Sequence, residues 1–149
     1  MRAIVLGEYG SINNLALQDF PDPKPGLEDI IVDVRATAVN YVDLVMIGGT
    51  YQFKPKTPFI PGKAPAGIVK AVGDKVMEFA PGDRVLAMAE EGGYAALTSI
   101  HQNNCYAIPD SLSLADAASM ALVYDTAWFS LIERGRFLEG ETVLVLGAS

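Results

Sequence analysis

From residue 1 to about residue 110 the chain is cut into short apolar runs by glycine, proline and aspartate. That punctuation constrains the fold more than any other feature. Gly and Pro set turns, and runs of four to eight apolar and β-branched residues between turns pair as strands. The runs are RAIVL (2–6), IIVDVRATAV (30–39), AGIVKAV (66–72), DRVLAMA (83–89), GYAALTSI (93–100) and CYAIP (105–109). The second alternates apolar with polar or small residues, as a strand with one covered face does. Between the first two, DFPDPKPG puts three prolines in eight residues and predicts an extended or turning loop. Short strands at regular spacing predict a barrel or a sandwich.

One helix is predicted inside this region, at NYVDLVMIGG (40–49). Asn40 suits the N-cap, Asp43 the third helical position near the positive end of the dipole, and Gly48-Gly49 the stop. The character changes after residue 109. Ser113 with Asp116 three residues on has capping-box spacing, and alanine-rich helical sequence follows. A second helical stretch is expected from about Tyr124, with Gly135 as a left-handed cap. Thr142 to Leu146 then reads as a parallel strand buried on both faces, opening into Gly147-Ala148-Ser149. The expected organisation is a mainly β domain over 1–121 and the beginning of a nucleotide-binding domain over 122–149. A piece of a longer polypeptide is expected rather than a natural short protein, because a buried parallel strand needs cover on both faces.

Charge narrows the partners. A net charge of −7 and a pI near 4.5 disfavour nucleic acid, which is bound through clustered Lys and Arg. The one cysteine, Cys105, has no internal disulfide partner, which points to a reducing, cytoplasmic setting. The start lacks the length of a signal peptide, and no run approaches the ~18 apolar residues of a membrane span.

The segments DIIVDVRATAVNYVDLVMIGGTY, PFIPGKAPAGIVKAVGDKV, PGDRV, GGYAALTSI and GETVLVLGAS, in this order and spacing, resemble the medium-chain dehydrogenase/reductase superfamily along the whole chain. The resemblance implies a partly open β-barrel of the chaperonin-10 (GroES) type, followed by the first helix and strand of a Rossmann-type domain. Within that superfamily GAS, rather than GxG, resembles the NADPH-preferring quinone reductase branch. Pyrophosphate would sit on backbone N–H groups after the strand, at Gly147, Ala148 and Ser149.

Where zinc-dependent relatives place a cysteine and a histidine, this chain has Asn40 and Lys63, so the resemblance implies no catalytic zinc. His101 and Cys105, four apart, do not complete a tetrahedral set; Cys105 is expected to pack inside and His101 to be solvated. The zinc-free branch implies hydride transfer from NADPH to a quinone or enone, with donors aimed at the substrate oxygen. By this resemblance Asn40 and Tyr51 are catalytic candidates, and Asn40 and Thr126 cofactor contacts. Asp43, Tyr51 and Lys63 are the substrate candidates. Capping alone equally explains Asn40 and Asp43, and Lys63 also reads as a solvated surface lysine. The alternatives are a non-catalytic GroES-like binding module, or a zinc-independent alcohol dehydrogenase or enoyl-thioester reductase relative. A homodimer is expected, with no membrane partner.

Overall fold

The computed structural model of the chain describes residues 1–147. Its elements are β1 (Arg2–Leu6), β2 (Leu15–Asp19), β3 (Asp29–Ala36), α1 (Tyr41–Ile47), β4 (Ala66–Val72), β5 (Arg84–Ala87), β6 (Leu97–His101), β7 (Cys105–Ala107) and α2 (Leu114–Trp128). All strand pairs are antiparallel, in a five-stranded sheet ordered β6-β3-β4-β5-β7 and a two-stranded sheet of β1 and β2. Isolated bridges Ala3–Ala95 and Leu6–Phe59 tie β1 to the segments leading into β6 and β4. The larger sheet does not close on itself, so the mainly β, partly open barrel follows the sequence expectation.

β3 is the spine because it pairs on both sides. Val32 stands opposite Val69 on β4 and Thr98 on β6. Ile30, Ile31 and Val32 are all buried, so the alternation read from the sequence holds only toward the far end of the strand. Register shifts between Ile31 and Val32, and between Val34 and Ala36, bend β3 against β4. Gly67 permits that bend: a Cβ there would lie 2.1 Å from the Asp33 carbonyl oxygen.

Ile30, Val32, Val69, Val85, Ala87, Ile100 and Cys105 form the main core, in which each large aliphatic side chain contributes about 1.5–3 kcal/mol by leaving water. Leu6, Met46, Ile47 and Phe59 form a second core under α1. A third, of Ala66, Ile108, Ala117 and Ala118, seats α2 on the barrel. Ser113 caps α2 by accepting the Asp116 N–H at 3.0 Å, and the Arg84 guanidinium donates to the Leu112 carbonyl just before it.

The C-terminal part departs from expectation in three respects. Instead of two helical stretches, α2 runs unbroken through Tyr124 to Trp128 and into a π-helical turn, Phe129–Arg134. Gly135 is not left-handed, with φ −75°. The π turn supplies one extra residue, bonding the Gly135 N–H to the Ser130 carbonyl at 2.8 Å, and pushes the left-handed position to Arg136 at φ 51°. Finally, residues 142–146 form no strand. They have no ladder partner among the described residues, and Leu144, Val145 and Leu146 are exposed. An apolar run becomes a strand only when neighbours satisfy its backbone.

Candidate functional site

The first turn of α1 organises the site. Asn40 is its N-cap in extended conformation, φ −113° and ψ 155°. Its backbone N–H donates to Asp43 Oδ2 at 2.8 Å, and the Asp43 N–H donates to the Asn40 carbonyl at 3.0 Å. Asp43 is only 1% exposed, and the Tyr94 hydroxyl donates to the same Oδ2 at 2.8 Å. Oδ1 is buried with no partner among the described residues. Asp43 thus points into the wall, toward Asn40 and Tyr94. Burial, reinforced by the hydrogen bond to Asp43 and its charge, pushes the Tyr94 phenol far above its ordinary value.

A second cluster lies around the loop 60–65. Lys63 is 3% exposed, which corrects the reading of it as a solvated surface lysine. Burial is tolerated because its ammonium is paired with Glu90 and sits 4.7 Å from the ring centroid of Tyr51. The Tyr51 ring packs in turn on the core under α1. Glu91 sits close by. Burial raises its carboxyl above the ordinary range, and the Lys63 charge pulls the other way.

Asn40 and Thr126, far apart in sequence, line one cleft of about 290 Å³ with Tyr41, Val42, Leu122 and Val123. The Thr126 hydroxyl donates to the Leu122 carbonyl at 2.7 Å, which leaves its lone pairs free to accept. Two of the five sequence-predicted cofactor contacts therefore line the same cleft between the start of α1 and α2. Tyr51 and Lys63 form a separate pair and do not line this cleft. Gly147 is left-handed at φ 73°, with none of the described residues packed against the position of a Cβ there, and Ala148 and Ser149 lie outside the described residues.

Two features escaped sequence reasoning. Tyr94 reads there as a strand residue, and the acids Glu90 and Glu91 carry no motif. The signal in hindsight is a pair of glutamates beside Gly92-Gly93 in an otherwise apolar stretch. Cys105 is buried as expected, and burial pushes its thiol up to about 11. His101 is partly exposed, with Nε2 3.2 Å from Glu28. Among the described residues no group of three or more His, Cys, Asp or Glu side chains is arranged to hold a metal ion, and no helix is long and apolar enough to cross a membrane.

The model of the alcohol dehydrogenase GroES-like domain matches residues 26–110. Quinone oxidoreductase of Rattus norvegicus is 39% identical over 151 aligned residues, which take in 100% of this chain and 46% of that protein. The crystal structure of the human synaptic vesicle membrane protein VAT-1 homolog-like protein superposes with a TM-score of 0.90 at 35% identity, covering 94% of this chain and 45% of that one. Escherichia coli quinone oxidoreductase, solved in complex with NADPH, superposes with a TM-score of 0.85 at 27% identity, over 92% and 41% of the respective chains. The chain spans about half the length of these relatives or less.

Proposed function

We propose a function from the premise that the chain belongs to the alcohol dehydrogenase GroES-like domain family, in the quinone oxidoreductase-like branch of the medium-chain dehydrogenase/reductase superfamily. On this reading the barrel is the catalytic wall of an NADPH-dependent reductase acting on a quinone or an enone without zinc. The observation that carries it is the cleft lined by both Asn40 of the barrel and Thr126 of α2. One Asn amide both donates and accepts, and the Thr126 oxygen accepts, which matches the donor-acceptor pattern of a nicotinamide carboxamide. When bound, the nicotinamide supplies the hydride.

The chain's own residues then have two tasks. Asn40 and Thr126 orient the ring from the wall. Tyr51, a phenol with the Lys63 ammonium against its face, donates to the substrate oxygen as negative charge builds there. At the positions of Asn40 and Lys63 the side chains are an amide and a buried, ion-paired ammonium. Neither suits a zinc ion, and this supports the zinc-free reading. The phosphate-binding turn is assigned to Gly147, Ala148 and Ser149, and the active form is a homodimer in the reducing cytoplasm.

The test is NADPH oxidation by the complete gene product against a panel of quinones and enones, with and without chelator. Turnover on that panel unaffected by chelator is expected. Turnover abolished by chelator and restored by zinc would overturn the mechanism. Alcohol oxidation without any quinone or enone reduction would shift the assignment to an alcohol dehydrogenase.

A further inference from the structure

The Tyr94 hydroxyl crosses 51 residues of sequence to reach Asp43. Its own backbone is pinned on both sides. The Tyr94 N–H donates to the Pro61 carbonyl at 2.9 Å, and its carbonyl accepts the Ile4 N–H at 2.8 Å. The ring is pressed against Gly62, where a Cβ would lie 2.5 Å from Tyr94 Cδ1, and Gly62 is left-handed at φ 96°. Tyr94 is therefore fixed to β1 and to the loop 60–65 before its phenol extends toward α1.

At the far end Asp43 has few ties. Its Oδ2 receives two donors, the Tyr94 hydroxyl and the Asn40 N–H, and its Oδ1 receives none among the described residues. α1 is seven residues long, far below the length at which a helix holds itself in water. Its start is thus set by its packing and by what grips Asp43. We propose that Tyr94 is a positioning residue for the α1–α2 cleft: acting through Asp43, it fixes the first turn of α1 and with it the place at which Asn40 meets the nicotinamide cofactor. The inference rests on the reading of that cleft given above. Because burial keeps the phenol protonated well beyond neutral pH, the donor is present throughout the working range.

Tyr94→Phe removes one oxygen atom and leaves the ring on Gly62, so the packing of the barrel survives. In the complete gene product two quantities are read. Amide hydrogen exchange at Asn40 should quicken about tenfold, while exchange at Val32 and Val69 in the main core stays within about twofold, as expected for loss of one buried hydrogen bond. The KM for NADPH should rise about tenfold with kcat falling less, the signature of lost binding rather than lost transition-state stabilisation.

Unchanged exchange at Asn40 would overturn the proposal. So would faster exchange with both kinetic constants intact, because the contact would then be structural only. If the unmutated protein oxidises no NADPH with any acceptor, the cofactor reading of the cleft fails. The exchange measurement then decides by itself whether Tyr94 holds the helix start. Should Tyr94→Phe fold poorly, Asp43→Asn keeps an acceptor for both donors and should give an intermediate shift in both readouts; no shift in either would count against the proposal.

Discussion

Glu91 is the acid whose ionisation sits worst with the fold. Its folded carboxyl keeps its proton to higher pH than the ordinary value of 4.5, mainly through burial. Between those two values the folded state binds more protons than the unfolded state, so this group's contribution to stability falls as pH rises past about 4.5. Glu91→Gln is therefore expected to raise the urea midpoint at pH 7 and to match the parent near pH 4. A gain of equal size at both pH values would contradict the assignment. The Lys63 charge opposes the shift by favouring the ionised carboxylate. Cys105 gives a second prediction at this scale. With its thiol buried and pushed up to about 11, it should resist a disulfide reagent at pH 8 in the folded chain and react at once in denaturant. Rapid labelling of the native chain would show that the main core opens there.

At the level of elements, what the sequence disclosed tracks how local the deciding interactions are. Strands bounded by Gly and Pro, the α1 stop at Gly48-Gly49 and the Ser113 cap all follow from neighbours within a few residues. β2 (LALQD) was not legible, because most of it is exposed and its pairing with β1 gives no strong pattern. The run 142–146 forms no strand because the neighbours that a buried parallel strand needs are not among the described residues. The site divides the same way. Asn40 as a cap could be read locally, whereas the burial of Lys63 depends on Glu90 and Tyr51, and the role of Asp43 on Tyr94. The shifted cap after α2 yields its own test. Arg136 occupies a left-handed position at φ 51°, with its N–H on the Ile132 carbonyl and the Phe137 N–H on the Leu131 carbonyl. That pattern favours glycine, so Arg136→Gly should stabilise the chain by about 0.5–1 kcal/mol in thermal or chemical denaturation. Destabilisation would mean that the arginine side chain itself holds the turn.

Across the whole molecule, burial is uneven. Ala117, Ala118 and Ala121 of α2 are covered by the barrel, while Val123, Tyr124, Trp128 and Phe129 are exposed, as are Leu138 and Val143 to Leu146. Apolar surface left open in this way favours self-association. The 149-residue chain should therefore show a dimer or larger species by light scattering at tens of micromolar protein, and a clean monomer would refute this. The same chain is expected to bind NADPH more weakly than about 100 μM by calorimetry. Among the described residues nothing assembles a phosphate cradle around the open turn at Gly147. Micromolar binding would show that the α1–α2 cleft is sufficient alone.

The pairing of Asn40 with Thr126 also carries a temporal order. A ribosome releases the strand that ends at Ala107 before it releases the helix that begins at Leu114. A nascent chain stalled there has every barrel strand in hand and no opposite bank to its cleft. Whatever is to lodge between the two must wait for translation to pass residue 126.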